Sequence, residues 1–347
     1  MAIYIQSFEA ITPQNTFNCE GFLTETVERS NAYFSCVTPK YNEYLDPKAL
    51  RRMSKIVRMG TCCAKVSLQK AELEQPDAII VGTGLGCVED TVKFLAQLID
   101  NNEQLLNPTA FIQSTHNTVS GQIALMLGCR NYNLTYTQKT ISFESALLDA
   151  FLMLKGNEAK NILVGGIDEV TDDSYRLIQE AGCARNADDT NATKGFIPGE
   201  GSAFFVLSNE KSDKSSSQII DINIIHQTKK GEDISNEIER FLKKNNLSIS
   251  DIDVVVSGIN GDAYNDKPHL EIKNIFPESA FVQYKHLVGE FDTASAFGFW
   301  TAAEIMKTQT IPENLNSNGI KKSTIKNILL YNSFNQADHV FILVSQC

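Results

Sequence analysis

The chain has 347 residues, enough for two ordinary domains or one large α/β unit. Apolar residues make up 42% and charged residues 21%, a balance that supports a sizeable buried core. A formal charge of −11 argues against a nucleic-acid surface and leaves an acidic partner no broad basic field to dock on.

The opening MAIYIQSFEAITP has no basic stretch followed by a long apolar run, and no apolar window of about 18 residues occurs anywhere. Neither a signal peptide nor a membrane span is expected, and the expected location is the cytoplasm. The eight cysteines make no CxxC pair and no Cys/His cluster, so no metal is expected, and no cofactor either. Most of them are read as small core residues in a reducing compartment.

In chain order, AIYIQSFEAI, DAIIVGTG, NLTYTQ, NILVGGI and SAFFVLS are short β-rich runs bounded by turn residues. Between them RRMSKIVRMGTCCAKVSLQKAEL, VEDTVKFLAQLID and ESALLDAFLMLKG carry apolar residues at helical spacing. The last begins at Ser142, has Glu144 in its first turn and closes at Gly156. Residues 209–218, NEKSDKSSSQ, are polar and serine-rich and mark the best boundary. Beyond them the grammar restarts: strand IIDINIIHQ, helix EDISNEIERFLKKNN, strand DIDVVVSGI, a helix through the 290s and 300s, and strands NILLYNS and HVFILVS. Alternating elements predict a sheet covered by helices on both faces. The repeated layout predicts a duplicated fold with halves 1–210 and 211–347.

Five motifs in order carry a resemblance over nearly the whole chain. RRMSKIVRMG followed by DAIIVGTGLG, the segment STHNTVSGQIALMLGCRNYNLTYTQ, VGGIDE, GFIPGEGSAFFVL, and the late KHLVGE with NSF at 332–334 resemble a β-ketoacyl synthase of the thiolase superfamily. The resemblance implies a thiolase-like duplicated α-β-α-β-α fold acting as a dimer. It also implies condensation chemistry with a cysteine nucleophile and two histidines. A thioester keeps the acyl carbonyl electrophilic, and donors around the malonyl carbonyl stabilise the enolate left by decarboxylation.

Those reactive residues are missing here. Counting from the flanking motifs puts the nucleophile at Lys139 or Thr140, with Gln138 one step away, and no cysteine lies between Cys129 and Cys183. The first histidine position falls at Gly258 or Ile259. The second, in a K-x-x-x-G-H pattern, is Glu290 of Lys285-His-Leu-Val-Gly-Glu, where a carboxylate opposes a developing enolate. Lys285 matches the family lysine, and His286, read on a strand or loop, points elsewhere. The glycine-rich stretch after NSF is replaced by Asn335-Gln336-Ala337-Asp338.

The resemblance further places Phe111, Thr115, His116 and Thr118 at the floor of an acyl tunnel reaching across the dimer interface, against plain packing roles. GTGLG at 82–86 is a tight turn rather than a phosphate loop, since it lacks the third glycine. Asp168 and Glu169 are expected in a solvated or interface loop, and Pro198-Gly199-Glu200-Gly201 in a turn beneath the site. Lys229-Lys230 and Lys243-Lys244 are expected as exposed charges at helix ends, and Trp300 with Phe297 and Phe299 as a core or interface cluster.

The resulting expectation is a ketosynthase-like chain-length factor. It would be non-catalytic and form a heterodimer with an active β-ketoacyl synthase, meeting an acyl carrier protein through that partner, in polyketide, aryl-polyene or fatty-acid-like biosynthesis. Two other readings stay open. One is a malonyl-carrier decarboxylase using Gln138, and the other is a residual transferase using Thr140 or Cys183.

Overall fold

The computed structural model describes residues 2–19, 22–23, 25–185, 193–226 and 234–347. Lys229 and Lys230 lie outside these, as do the first two residues expected in the helix at 232–246. In chain order the first half runs β1 (Ile3–Ile11), α1 (Pro47–Leu50), α2 (Lys55–Ala71), β2 (Ala78–Gly82), α3 (Val88–Asp100), α4 (Pro108–Gln113), α5 (Thr118–Leu127), β3 (Tyr132–Tyr136), α6 (Ser142–Lys155), β4 (Asn161–Asp168), α7 (Asp172–Glu180) and β5 (Gly201–Ser208). There follow β6 (Ser217–Ile225), α8 (Ile234–Lys244), β7 (Val254–Ser257), α9 (Ala263–Ile275), β8 (Ala280–Gln283), α10 (Lys285–Val288), α11 (Ala294–Thr308), β9 (Asn327–Phe334) and β10 (Asp338–Gln346).

The ten strands run in the order β3-β2-β4-β5-β1-β6-β10-β9-β7-β8. Replacing β1 to β5 by β6, β7, β8, β9 and β10 turns the left half of that order into the mirror of the right. Pairing directions repeat as well. β2 is parallel to β3 and β4, as β7 is to β8 and β9, and the remaining ladders are antiparallel. The halves join where β1 meets β6, from Ile3 opposite Ile219 to Ile5 opposite Ser217. The fold is thus the duplicated α/β architecture expected from the repeated grammar.

Layering follows from which faces are apolar. α6 buries Phe143, Ala146, Leu147, Ala150, Phe151 and Leu154, one stripe at i, i+3, i+4, i+7 spacing. α11 is buried along almost all its length, its alanines and Gly298 letting other chain segments approach closely. These two helices pack in one continuous core that includes residues of both halves, Ile3 and Ile5 beside Ile219 and Ile342. α2 covers the other face of the first half through Ile56, Val57, Met59 and Cys63, and α8 and α9 cover that of the second through Ile238, Phe241 and Ile272. Trp300 belongs to the shared core, stacked on Phe297 at 5.3 Å. Cys62, Cys63, Cys87 and Cys129 are buried, whereas Cys19, Cys183 and Cys347 are exposed. Lys244 pairs with Asp221 at 2.7 Å. Among the described residues no helix is long and apolar enough to cross a membrane.

Candidate functional site

Three chain segments converge where the sequence motifs point. The first is the turn between β3 and α6. Thr137 and Gln138 leave the strand, Lys139 turns the backbone at φ +54°, and a short 3-10 turn over Lys139–Ile141 feeds the helix. Positive φ is disfavoured for a lysine, and such strand-turn-helix elbows hold a side chain out of the sheet. Lys139, one of the two positions left open by counting, carries the positive φ of this turn. Thr140 follows it and is half-buried, while Gln138 precedes it with its amide oxygen held by the Ser145 hydroxyl.

The second segment is the end of β7. An added Cβ on Gly258 would lie 2.7 Å from Asn332 Oδ1 and 3.3 Å from both Lys285 Cε and the Tyr284 hydroxyl. The glycine is thus what lets these groups close over the position, and no larger side chain fits without displacement.

The third segment is α10 and the chain after it. Lys285 Nζ donates to both oxygens of Glu290 at 2.8 Å. The two side chains are 3% and 5% exposed. Asn260 Nδ2 adds a bond to Glu290 Oε2 at 2.6 Å. The backbone of Glu290 is tied to the PGEG loop, its N–H donating to Ile197 and its carbonyl accepting from Gly199. A buried pair of this kind persists because each charge satisfies the other. His286, expected on a strand or loop, instead lies within α10, a turn of helix formed where β8 ends, and its Nε2 faces the Asn314 carbonyl at 3.0 Å.

Beside this pair Glu144 is fully buried in the first turn of α6, accepting from Asn332 Nδ2 at 2.7 Å. Burial pushes its carboxyl up to about 7, against the lowering effect of that hydrogen bond. The glycine-rich stretch of the family is here a hairpin between β9 and β10, closed through Asn335 and Gln336, both at φ +54°.

A cavity of about 210 Å³ adjoins these segments, lined by Thr140, Asp168, Glu169, Glu290, Asp292 and Phe334 among others. Asp168 and Glu169 were expected in a solvated or interface loop. The structure corrects this, because β4 runs buried to its end at Asp168 and Glu169, the next residue, is buried as well. Asp168 accepts from Thr83 Oγ1, Gly84 N, and Thr293 N and Oγ1 at 2.8–2.9 Å. Burial, reinforced by the Asp168 charge, pushes Asp292 up to about 7, and Lys139 opposes this. Burial raises Glu169 to about 7 as well, helped by Glu89 and Glu200. Pro198 and Gly199 line the cavity, and Glu200 is fully buried against Lys55.

Phe111, Thr115, His116 and Thr118 are not brought to this cavity. They lie at the surface on and between α4 and α5, Phe111 being 56% exposed and Thr115 hydrogen-bonded to Thr118 at 3.0 Å. Near them, among the described residues, β3 is an edge strand paired only to β2; Tyr132 on it is exposed, as are Ile112 of α4 and Leu125 of α5. Cys183 is exposed and does not line the cavity.

This chain belongs to the β-ketoacyl synthase family: the family's N-terminal-domain model matches residues 32–244. Its fold is that of solved thiolase-like ketosynthases. The ishigamide ketosynthase/chain length factor superposes with a TM-score of 0.79 at 15% identity, covering 100% of this chain and 99% of that one. A β-ketoacyl synthase from Burkholderia phymatum STM815 gives 0.77 at 12% identity, with 100% and 99% coverage. A ketosynthase (ApeO) in complex with its chain length factor (ApeC) from Xenorhabdus doucetiae gives 0.76 at 14% identity, with 100% and 98% coverage.

Proposed function

We propose that this chain is a non-catalytic ketosynthase-like subunit, a chain-length factor, that pairs with a cysteine-bearing β-ketoacyl synthase in the cytoplasm. The observation that carries the reading is the buried Lys285–Glu290 pair beside Gly258, at the positions where the family resemblance calls for condensing histidines. Lys139 stands at the elbow, where the resemblance calls for the cysteine. An ammonium cannot form the thioester, and a carboxylate opposes the enolate that decarboxylation would leave.

The exposed edge of β3 and its apolar neighbours support pairing, since an unpaired edge strand is a template for a second chain. Two of the similar structures are described as a ketosynthase with its chain length factor, and this chain shares their fold. In the pair, Phe111, Thr115, His116 and Thr118 would floor an acyl tunnel shared with the partner. The net charge of −11 fits an acyl carrier docking on the partner rather than here. The setting would be polyketide, aryl-polyene or fatty-acid-like synthesis. We also infer that the chain divides into ketosynthase-like halves 1–210 and 211–347, a division supported by the repeated strand order.

A decarboxylase using Gln138 is less well supported, because that amide precedes the elbow and is held by Ser145. A transferase using Thr140 draws support only from the place of Thr140 on the cavity wall. The test is reconstitution with the partner ketosynthase, a carrier protein and a malonyl donor. Replacing Phe111, Thr115 or His116 by tryptophan is expected to shorten the product while initiation continues. Unchanged product lengths in all three would contradict the assignment.

A further inference from the structure

The cavity beside β4 is lined by residues of two kinds. Leu85, Ile178, Phe196 and Phe334 are apolar, while Asp168, Glu169, Glu290 and Asp292 are acidic. Two of those carboxyls are already matched. Asp168 takes four hydrogen bonds from Thr83, Gly84 and Thr293, and Glu290 is paired with Lys285 and Asn260. Glu169 is not. It is 7% exposed, its Oε1 accepts from the Glu89 N–H, and its Oε2 has no hydrogen-bond partner. Asp292 lies against Gly84 in the same cavity, its side chain filling the space a Cβ there would need.

We infer that this cavity binds a small organic ammonium, a protonated primary amine carried on an apolar body of about one ring. The cationic head would bond Glu169 Oε2 and Asp292, and the body would lie against Phe196 and Phe334. The volume agrees: 210 Å³ exceeds the roughly 150 Å³ that holds benzene in a dry cavity. An anionic ligand is disfavoured by the Glu169 and Asp292 carboxyls, with Lys285 committed to Glu290, Lys55 to Glu200 and Lys139 offset against Asp292. Among the described residues no group of three His, Cys, Asp or Glu could hold a metal ion.

Protonation supports the same reading. Glu169, facing Glu89, Glu200 and Lys55, and Asp292, facing Asp168, Glu290, Lys139 and Lys285, both titrate at about 7 without ligand. An ammonium favours their ionised forms, so binding near neutrality expels protons and strengthens from pH 6 to pH 8. The inference does not rest on the pairing proposed above, and the test applies to the chain as purified, alone or with a partner.

The test is calorimetric titration of the full chain with phenethylamine, with 2-phenylethanol and 3-phenylpropionate as neutral and anionic comparators. The amine is expected to bind saturably, the alcohol about tenfold or more weakly because it forfeits charge-assisted bonds, and the acid not at all. Glu169→Gln and Asp292→Asn are each expected to weaken the amine about tenfold and leave the alcohol unchanged. Thermal unfolding checks that both variants remain folded, and in Glu169→Gln the new amide oxygen can still accept from the Glu89 N–H. Lys139→Met removes a nearby competing cation and is expected to leave amine affinity equal or tighter. Equal binding of amine and alcohol, full amine affinity in folded Glu169→Gln, or affinity flat from pH 6 to pH 8 would each overturn the assignment.

Discussion

Replacing Lys285 by methionine tests whether the Lys285–Glu290 pair is an architectural substitute for the family's catalytic groups. The substitution removes two 2.8 Å hydrogen bonds and leaves the Glu290 carboxylate, 5% exposed, with Asn260 as its remaining side-chain donor. Stranding one member of such a pair costs about 3–5 kcal/mol. Replacing both, as in Lys285→Met with Glu290→Leu, removes the stranded charge and is expected to restore stability to near or above the starting value. Urea unfolding of the three proteins at pH 7 reads both outcomes. A single-variant loss under about 1 kcal/mol, or a double variant less stable than the single, would refute the reasoning.

Glu144, Glu169 and Asp292 all sit at about 7, raised first of all by burial from ordinary values near 4. Between those limits the folded chain holds protons that the unfolded chain lacks, so stability should fall as pH rises from about 5 to 8. A melting temperature that is flat or rising over that range would contradict this. Glu144→Gln keeps the acceptor for Asn332, and at pH 8 it should recover up to about 3 kcal/mol, flattening the profile. Gly258→Ala places a Cβ 2.7 Å from Asn332 Oδ1 and should cost about 1–3 kcal/mol by denaturant unfolding, and a neutral result would show that the site is looser than described. Lys139→Cys should yield no ketoacyl product by mass spectrometry, because Glu290 and Gly258 remain; a condensation product would show that the chemistry was lost at the nucleophile alone.

Much of the fold was legible because apolar spacing and turn residues agree along the chain. VEDTVKFLAQLID is α3 from end to end, and α6 begins at Ser142 and closes at Gly156 as read. The site was legible as a set of motif positions, and long-range closure does bring Gly258, Lys285 and Glu290 together. What could not be read is which way polar side chains face once strands are stacked. Asp168 and Glu169 follow a Gly-Gly pair and read as loop, yet tertiary packing carries β4 through to Asp168 with every residue after Asn161 buried. Glu144 resembles an ordinary first-turn acid favoured by the helix dipole, but Asn332, distant in sequence, encloses it. A carboxylate beside the apolar stripe of α6, one residue after Phe143, was the available signal. That Lys139 rather than Thr140 carries the positive φ of the turn is a matter of backbone angle, which spacing alone does not supply.

The central claim is that this chain works as the inert half of a pair. The direct test is native mass spectrometry after co-expression with a cysteine-bearing ketosynthase from the same source, with the edge-face variant Ile112→Ser/Leu125→Ser measured in parallel. A one-to-one heterodimer that dissociates in the double variant is the predicted result. A homodimer that ignores the ketosynthase, or a heterodimer untouched by changes at the β3 face, would contradict the account.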